Sequence, residues 1–200
     1  MTYPNKPAKV VYPINDLAKN RWSPRVFSGQ PIENEKIMSL FEAARWAPSS
    51  NNEQPWRYVY ATANEPEKFK ILFSLMGEFN QGWAGKAYLL AVSFAKKNQT
   101  KNNLPNYHAL HDTGAASMSL VLEAVHLGLV AHQMAGFDKD KAVTALGVDP
   151  QEYQAGSMIA VGYPATLTDL EKLTSEQKQS ELAERTRKNL DEIIFNGRFN

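Results

Sequence analysis

Cysteine is absent from this chain of 200 residues. Its absence excludes disulfides, thiol nucleophiles and thiolate metal sites, and it fits a reducing cytoplasm. An excess of one charge is missing too. Lys and Arg number 22 against 21 Asp and Glu, a formal net charge of +1, so no broad basic field is available to hold nucleic acid. Basic residues must therefore act locally. Long apolar runs are lacking: the longest, residues 87–95, falls far short of a membrane span. The opening Met1-Thr2-Tyr3-Pro4-Asn5-Lys6 has no apolar segment of signal-peptide length. These absences predict a soluble, cytoplasmic protein. There is also no Gly-x-Ser-x-Gly elbow, no Walker loop and no Gly-x-Gly-x-x-Gly fingerprint.

What is present reads as one domain over residues 1–200. Its ends are an irregular arm rich in proline and lysine at 1–13 and a charged, extended or helical arm from 168. A hydrophobic share of 43% is that of an ordinary globular protein. Ile37, Leu40, Phe41 and Ala44 fall at i, i+3, i+4 and i+7, an apolar helix stripe that Pro48 ends. Phe69, Leu72, Phe73 and Met76 repeat the spacing. A short helix is predicted over 15–19, a long one over 108–127, and another over 139–146 capped by Asp138. Strands are predicted over 57–61, 87–95, 129–134 and 157–163, and a glycine-bearing loop over 77–86. The long helix carries Gly114, Ala115, Ala116, Ser117 and Ser119; its glycine costs about 1 kcal/mol relative to alanine. Close approach of another helix would offset that, so this helix is expected to be central, with a dimer interface as a further option. The class is α+β.

Three stretches carry chemistry. Arg21-Trp22-Ser23-Pro24-Arg25 puts two guanidinium forks and a hydroxyl within five residues, a compact anion clamp or simply a helix start with solvated arginines. Ala47-Pro48-Ser49-Ser50-Asn51-Asn52-Glu53-Gln54-Pro55-Trp56 is a polar loop closed by proline at both ends. It offers amides, hydroxyls and carboxamides in a fixed frame, or a plain helix-to-strand connection. Ala135-Gly136-Phe137-Asp138 ends a predicted strand, where glycine lets a backbone donor approach a ligand closely.

In this order the three stretches resemble the FMN-dependent nitroreductase family, and the similarity runs from about Asn15 to Arg187. The resemblance implies a central, mostly antiparallel sheet wrapped by helices, in a homodimer whose subunits share each active site. It implies FMN as cofactor, NAD(P)H as hydride donor and a nitroaromatic, quinone or similar small acceptor, used in turn by a ping-pong mechanism. Without a dinucleotide fingerprint, the nicotinamide would bind transiently at the flavin face. By resemblance, Arg21, Ser23 and Arg25 hold the phosphate, with Trp22 contributing backbone where relatives carry a second basic residue. Pro48, Ser49, Ser50 and Asn52 approach the flavin from the partner subunit, and Asn80 touches the polar edge of the ring. Backbone of Ala135 and Gly136 faces the hydride-accepting nitrogen, with alanine where the family often has an acid. Arg185 and Arg187 reach the phosphate or lie in a solvated arm. The cofactor carries the hard step, so no side chain is nominated as acid or base.

Two other classes remain open. A flavin-binding sensor or carrier would keep the clamp without turnover. A metal-dependent hydrolase would use His108 and His111, spaced i, i+3 beside Asp112, with a third ligand from elsewhere, since His126 lies about four helical turns beyond His111.

Overall fold

The strand order β1-β2-β4-β3, every pairing antiparallel, organises the chain. The computed structural model describes residues 5–199. Its strands are β1 (Trp56–Thr62), β2 (Leu89–Lys96), β3 (Val130–Met134) and β4 (Tyr153–Gly162). The helices are α1 (Asp16–Asn20), α2 (Asn34–Arg45), α3 (Pro66–Phe73), α4 (Glu78–Ala84), α5 (Ala109–His126), α6 (Lys139–Ala145) and α7 (Ser175–Leu182). The expected α+β class and antiparallel sheet are both observed.

β2 is buried almost throughout, because both faces of the sheet are covered. Its alternating side chains divide the core in two, as strand geometry requires. Leu90, Val92 and Phe94 join Met158 and Ala160 of β4 against Phe27, Leu75 and Trp83 on one face. Leu89 and Ala91 join Ile159 and Val161 against Leu40 of α2 and Leu120 of α5 on the other. α5 ends where Gly128 turns to φ +73° and Leu129 N–H returns to the Ala124 carbonyl at 2.8 Å, a Schellman closure that favours glycine.

Four expectations need correction. The span 77–86 is not a loop: α4 occupies most of it, with Gly77 as N-cap and Gly85 as C-cap. β4 begins at Tyr153, before the predicted 157. The C-terminal arm is not all peripheral, since α7 buries Gln177 and Glu181 and Leu170 packs with Val26 and Ala165. Gly114 is not pressed by another helix of the same chain, because a Cβ there would meet nothing within 4 Å.

Candidate functional site

Residues 21–25 belong to no helix or strand, so side-chain ties set their position. Arg21 Nη1 donates to Ser23 Oγ at 3.3 Å. Arg25 Nη1 donates to Ser180 Oγ at 2.8 Å, and Arg25 N–H donates to Glu181 Oε1 at 2.9 Å. His132 Nδ1 lies 3.0 Å from the Pro24 carbonyl oxygen. α7 and β3 thus grip the segment from two sides.

Positive charge is crowded here. Burial, then Arg185 and Arg187, push the Arg21 guanidinium below its ordinary value. Burial, then Arg185 and Arg25, do the same to Lys6. Cations crowded in this way disfavour one another's charged form. Arg25 Nε is buried and has no hydrogen-bond partner among the described residues, a state that costs free energy until an acceptor arrives. Arg185 itself is anchored: Nη1 donates to the Lys6 and Lys19 carbonyls at 2.7 and 2.9 Å, tying the C-terminal arm to the N-terminal one. Arg187 donates to the Thr186 carbonyl at 2.7 Å. The Trp22 ring packs beside Val26, Ala165 and Leu170, under Lys6 Nζ at 4.5 Å, so its side chain serves packing.

A cavity of about 500 Å³ opens beside this cluster, between residues 74–80 and residues 136–141. That volume suits a small ligand. Phe79 joins the two features: it lines the cavity, and its ring centroid is 5.8 Å from Arg25 Cζ. Two walls meet at Gly136, whose carbonyl accepts Gly77 N–H at 3.2 Å and Asn80 Nδ2 at 2.9 Å. Asp138 caps α6 by accepting Lys141 N–H at 2.8 Å, and its own N–H reaches the Leu75 carbonyl at 2.8 Å. Asn80 and Gly136 therefore meet at the cavity wall, and Phe79, beside Asn80, reaches Arg25.

The polar loop does not join them. Asn51, Asn52 and Gln54 all adopt positive φ (52°, 56° and 47°), a conformation that non-glycine residues hold only when the surroundings demand it. Ser49 Oγ accepts Gln54 N–H at 3.0 Å, and Gln54 Nε2 donates to the Asn52 carbonyl at 3.0 Å. Buried Asp112 of α5 accepts Ser50 N–H through Oδ2 at 2.9 Å. Pro48 and Asn52 are exposed, whereas Pro55 and Trp56 are buried as packing residues. This loop leads into β1 at one edge of the sheet, whereas Ala135 and Gly136 follow β3 at the other. Three strand spacings, about 14 Å, separate those edges.

Sequence reasoning missed His132 and Glu181, and it named Asp112 only as a neighbour of His111, not as the anchor of the polar loop. Burial, reinforced by Arg25 and Arg21 against the opposing hydrogen bonds with the Pro24 and Ser23 backbone, pushes His132 down to about 4. Burial pushes the Glu181 carboxyl up to about 7, against the opposing hydrogen bond from Arg25 N–H. As for the histidines on α5, His111 Nδ1 pairs with Asp112 Oδ1 at 3.0 Å. Among the described residues no group of three or more His, Asp or Glu could hold a metal ion, so the hydrolase reading finds no ligand set.

A family model described as the nitroreductase family matches residues 18–163. The chain belongs to the nitroreductase family. It is 35% identical to a solved protein described as an oxidoreductase containing FMN, over 100% of this chain and 99% of that one, with a TM-score of 0.88. A nitroreductase family protein from Clostridium difficile 630 is 22% identical with a TM-score of 0.69, covering 92% and 97% of the two chains; that likeness speaks for the fold alone. Over 55 residues, 28% of this chain and 24% of the relative, it is 40% identical to the nitrobenzene nitroreductase of Ectopseudomonas oleovorans. Among the described residues no helix is long and apolar enough to cross a membrane.

Proposed function

We propose that this chain is an FMN-dependent oxidoreductase that passes hydride from NAD(P)H to a nitroaromatic, quinone or similar small acceptor, each occupying the site in turn. The observation that carries the reading is the cation cluster with its orphaned Arg25 Nε, joined through Phe79 to a cavity of ring-accommodating size. When bound, FMN supplies a ring that takes up hydride and gives it away. The chain's own residues bind and orient. Arg21, Ser23 and Arg25 hold the phosphate, with backbone from Trp22 and added charge from Arg185 and Arg187. The Asn80 amide borders the ring's polar edge, and backbone at Ala135 and Gly136 favours negative charge on the reduced ring.

A second copy completes the site. The separation of the sheet edges supports this, because one chain holds its polar loop away from its own clamp. A face of α5 supports it too: Leu110 and Met118 are exposed hydrophobics, and with Gly114 they form a stripe at i, i+4 and i+8. Pro48, Ser49, Ser50 and Asn52 then meet the partner's flavin. The cysteine-free composition favours a cytoplasmic setting.

Spectroscopy of the purified protein tests the proposal. Flavin absorbance that bleaches on adding NAD(P)H and returns with an acceptor is expected. Replacing Arg21 and Arg25 together with alanine should strip FMN and leave the fold intact. Colour that never bleaches would mark a carrier instead, and wild-type FMN affinity in the double variant would overturn the clamp.

A further inference from the structure

We propose that His132 is a positioning residue that fixes the spacing between the phosphate-binding and ring-binding ends of the site. The proposal rests on the FMN reading above and deepens it. Residues 21–25 lack regular structure, and Pro24 has no N–H to anchor itself. Its carbonyl is held by His132 Nδ1 at 3.0 Å. A carbonyl only accepts, so Nδ1 must carry the ring proton and Nε2 its lone pair. Burial and the flanking guanidiniums keep the ring neutral, so this tautomer persists across the working pH range.

The ring is itself immobilised. It lies 4.6 Å, centroid to centroid, from Trp83, and Trp83 stacks on core Phe27 at 6.2 Å. His132 sits on β3, and the same strand runs directly into Ala135-Gly136. One strand therefore sets both ends: the His132 side chain holds the clamp segment, and the residues that directly follow the strand, Ala135 and Gly136, make the ring contact. Three extended residues span about 10 Å, the scale of the five-carbon chain that separates phosphate from ring in FMN. Glu181 also steadies Arg25, but from α7, which does not run into the Ala135-Gly136 turn. His132 links the two ends through the backbone of one strand, in addition to the ring contact that Phe79 makes with Arg25.

The test compares FMN with riboflavin, the same ring and chain without phosphate, by titrating each into apoprotein and following flavin fluorescence. His132→Asn keeps a donor where Nδ1 stands, whereas His132→Gln carries its amide beyond it. The wild type and His132→Asn should share one FMN-over-riboflavin preference. His132→Gln should lose that preference by about tenfold with riboflavin affinity within about twofold of wild type. Equal losses for both flavins, or an unchanged preference in His132→Gln, would overturn the proposal. Arg21→Ala is the control: an unchanged preference there sinks the FMN reading itself, and is distinguishable because it does not involve His132. If the glutamine variant does not fold, ¹⁵N spectroscopy of the wild-type imidazole decides. A proton on Nδ1 supports the assignment, and one on Nε2 alone overturns it.

Discussion

Gly136→Ala puts the junction of the two cavity walls to a quantitative trial. A Cβ at Gly136 would sit 2.8 Å from Asn80 Nδ2, closer than carbon tolerates, with the rest of the Asn80 amide at 3.9 Å. Gly136 has no positive φ, so the backbone accepts alanine without strain and the clash alone decides. The yielding group is the end of a flexible side chain. Asn80 therefore swings aside and gives up its 2.9 Å bond to the Gly136 carbonyl, a loss of about 1 kcal/mol. In a domain of this size that lowers the midpoint of thermal unfolding by about 2–4 °C. On the proposed placement of Asn80 at the ring's edge, flavin affinity should fall further, by about tenfold. Calorimetry and flavin titration of Gly136→Ala, Asn80→Ala and the double variant form the assay. With Asn80 truncated there is nothing to strike, so alanine at 136 should add less than about 0.5 kcal/mol. An undiminished penalty in the Asn80→Ala background would refute the reasoning.

Asp112→Ala should destabilise the protein by about 1.5–3 kcal/mol, the worth of a hydrogen bond to a charged group, because Ser50 N–H loses its 2.9 Å acceptor; Asp112→Asn, which keeps an oxygen, should cost less, and a wild-type melting curve for the alanine variant would contradict the loop anchor. Two opposing pH slopes overlap at the clamp. Folding lowers His132 from 6.5 to about 4, so the unfolded chain binds more protons and stability rises with pH across that window; folding raises Glu181 from 4.5 to about 7, so stability falls across its own. Denaturant melts against pH should show Glu181→Gln unmasking the rise and His132→Asn unmasking the fall, and parallel profiles in all three proteins would reject both assignments. Gly114→Arg points into open space within one chain and even gains helix propensity, so the fold should survive while sedimentation reports monomers that lose flavin; an intact dimer would place the contact elsewhere.

Most of the fold was legible because its signals are local. The Ile37, Leu40, Ala44 stripe, the Asp138 cap and the nearly continuous apolar run of β2 each declare an element within a dozen residues. α4 was missed because glycine was read as a loop-former. Two of its glycines, Gly77 and Gly85, are caps seven residues of helix apart. The third, Gly82, stays small because a Cβ would press within 3.3 Å of Gln177 Nε2. α7 looked solvated because polar residues read as exposed; Glu181 is buried where Arg25 N–H awaits it, 156 positions away. The site divides in the same way. The Arg21–Arg25 basic cluster and the Ala135-Gly136 turn stand out as short strings, whereas Asp112 beneath Ser50 and His132 beneath Pro24 are joined across 62 and 108 positions. Nothing along the chain announces such pairs.

The sheet's layout also separates two kinds of failure. β2 and β4 are the inner strands, and each exchanges hydrogen bonds on both sides. The clamp, the polar loop and the Ala135-Gly136 turn all hang from the margins. Amide hydrogens at the centre should thus be the last to exchange with solvent, and those at the margins among the first. A warmed sample should shed its chromophore while the inner strands still resist deuterium, so fading colour would be an early warning of damage, not a record of collapse.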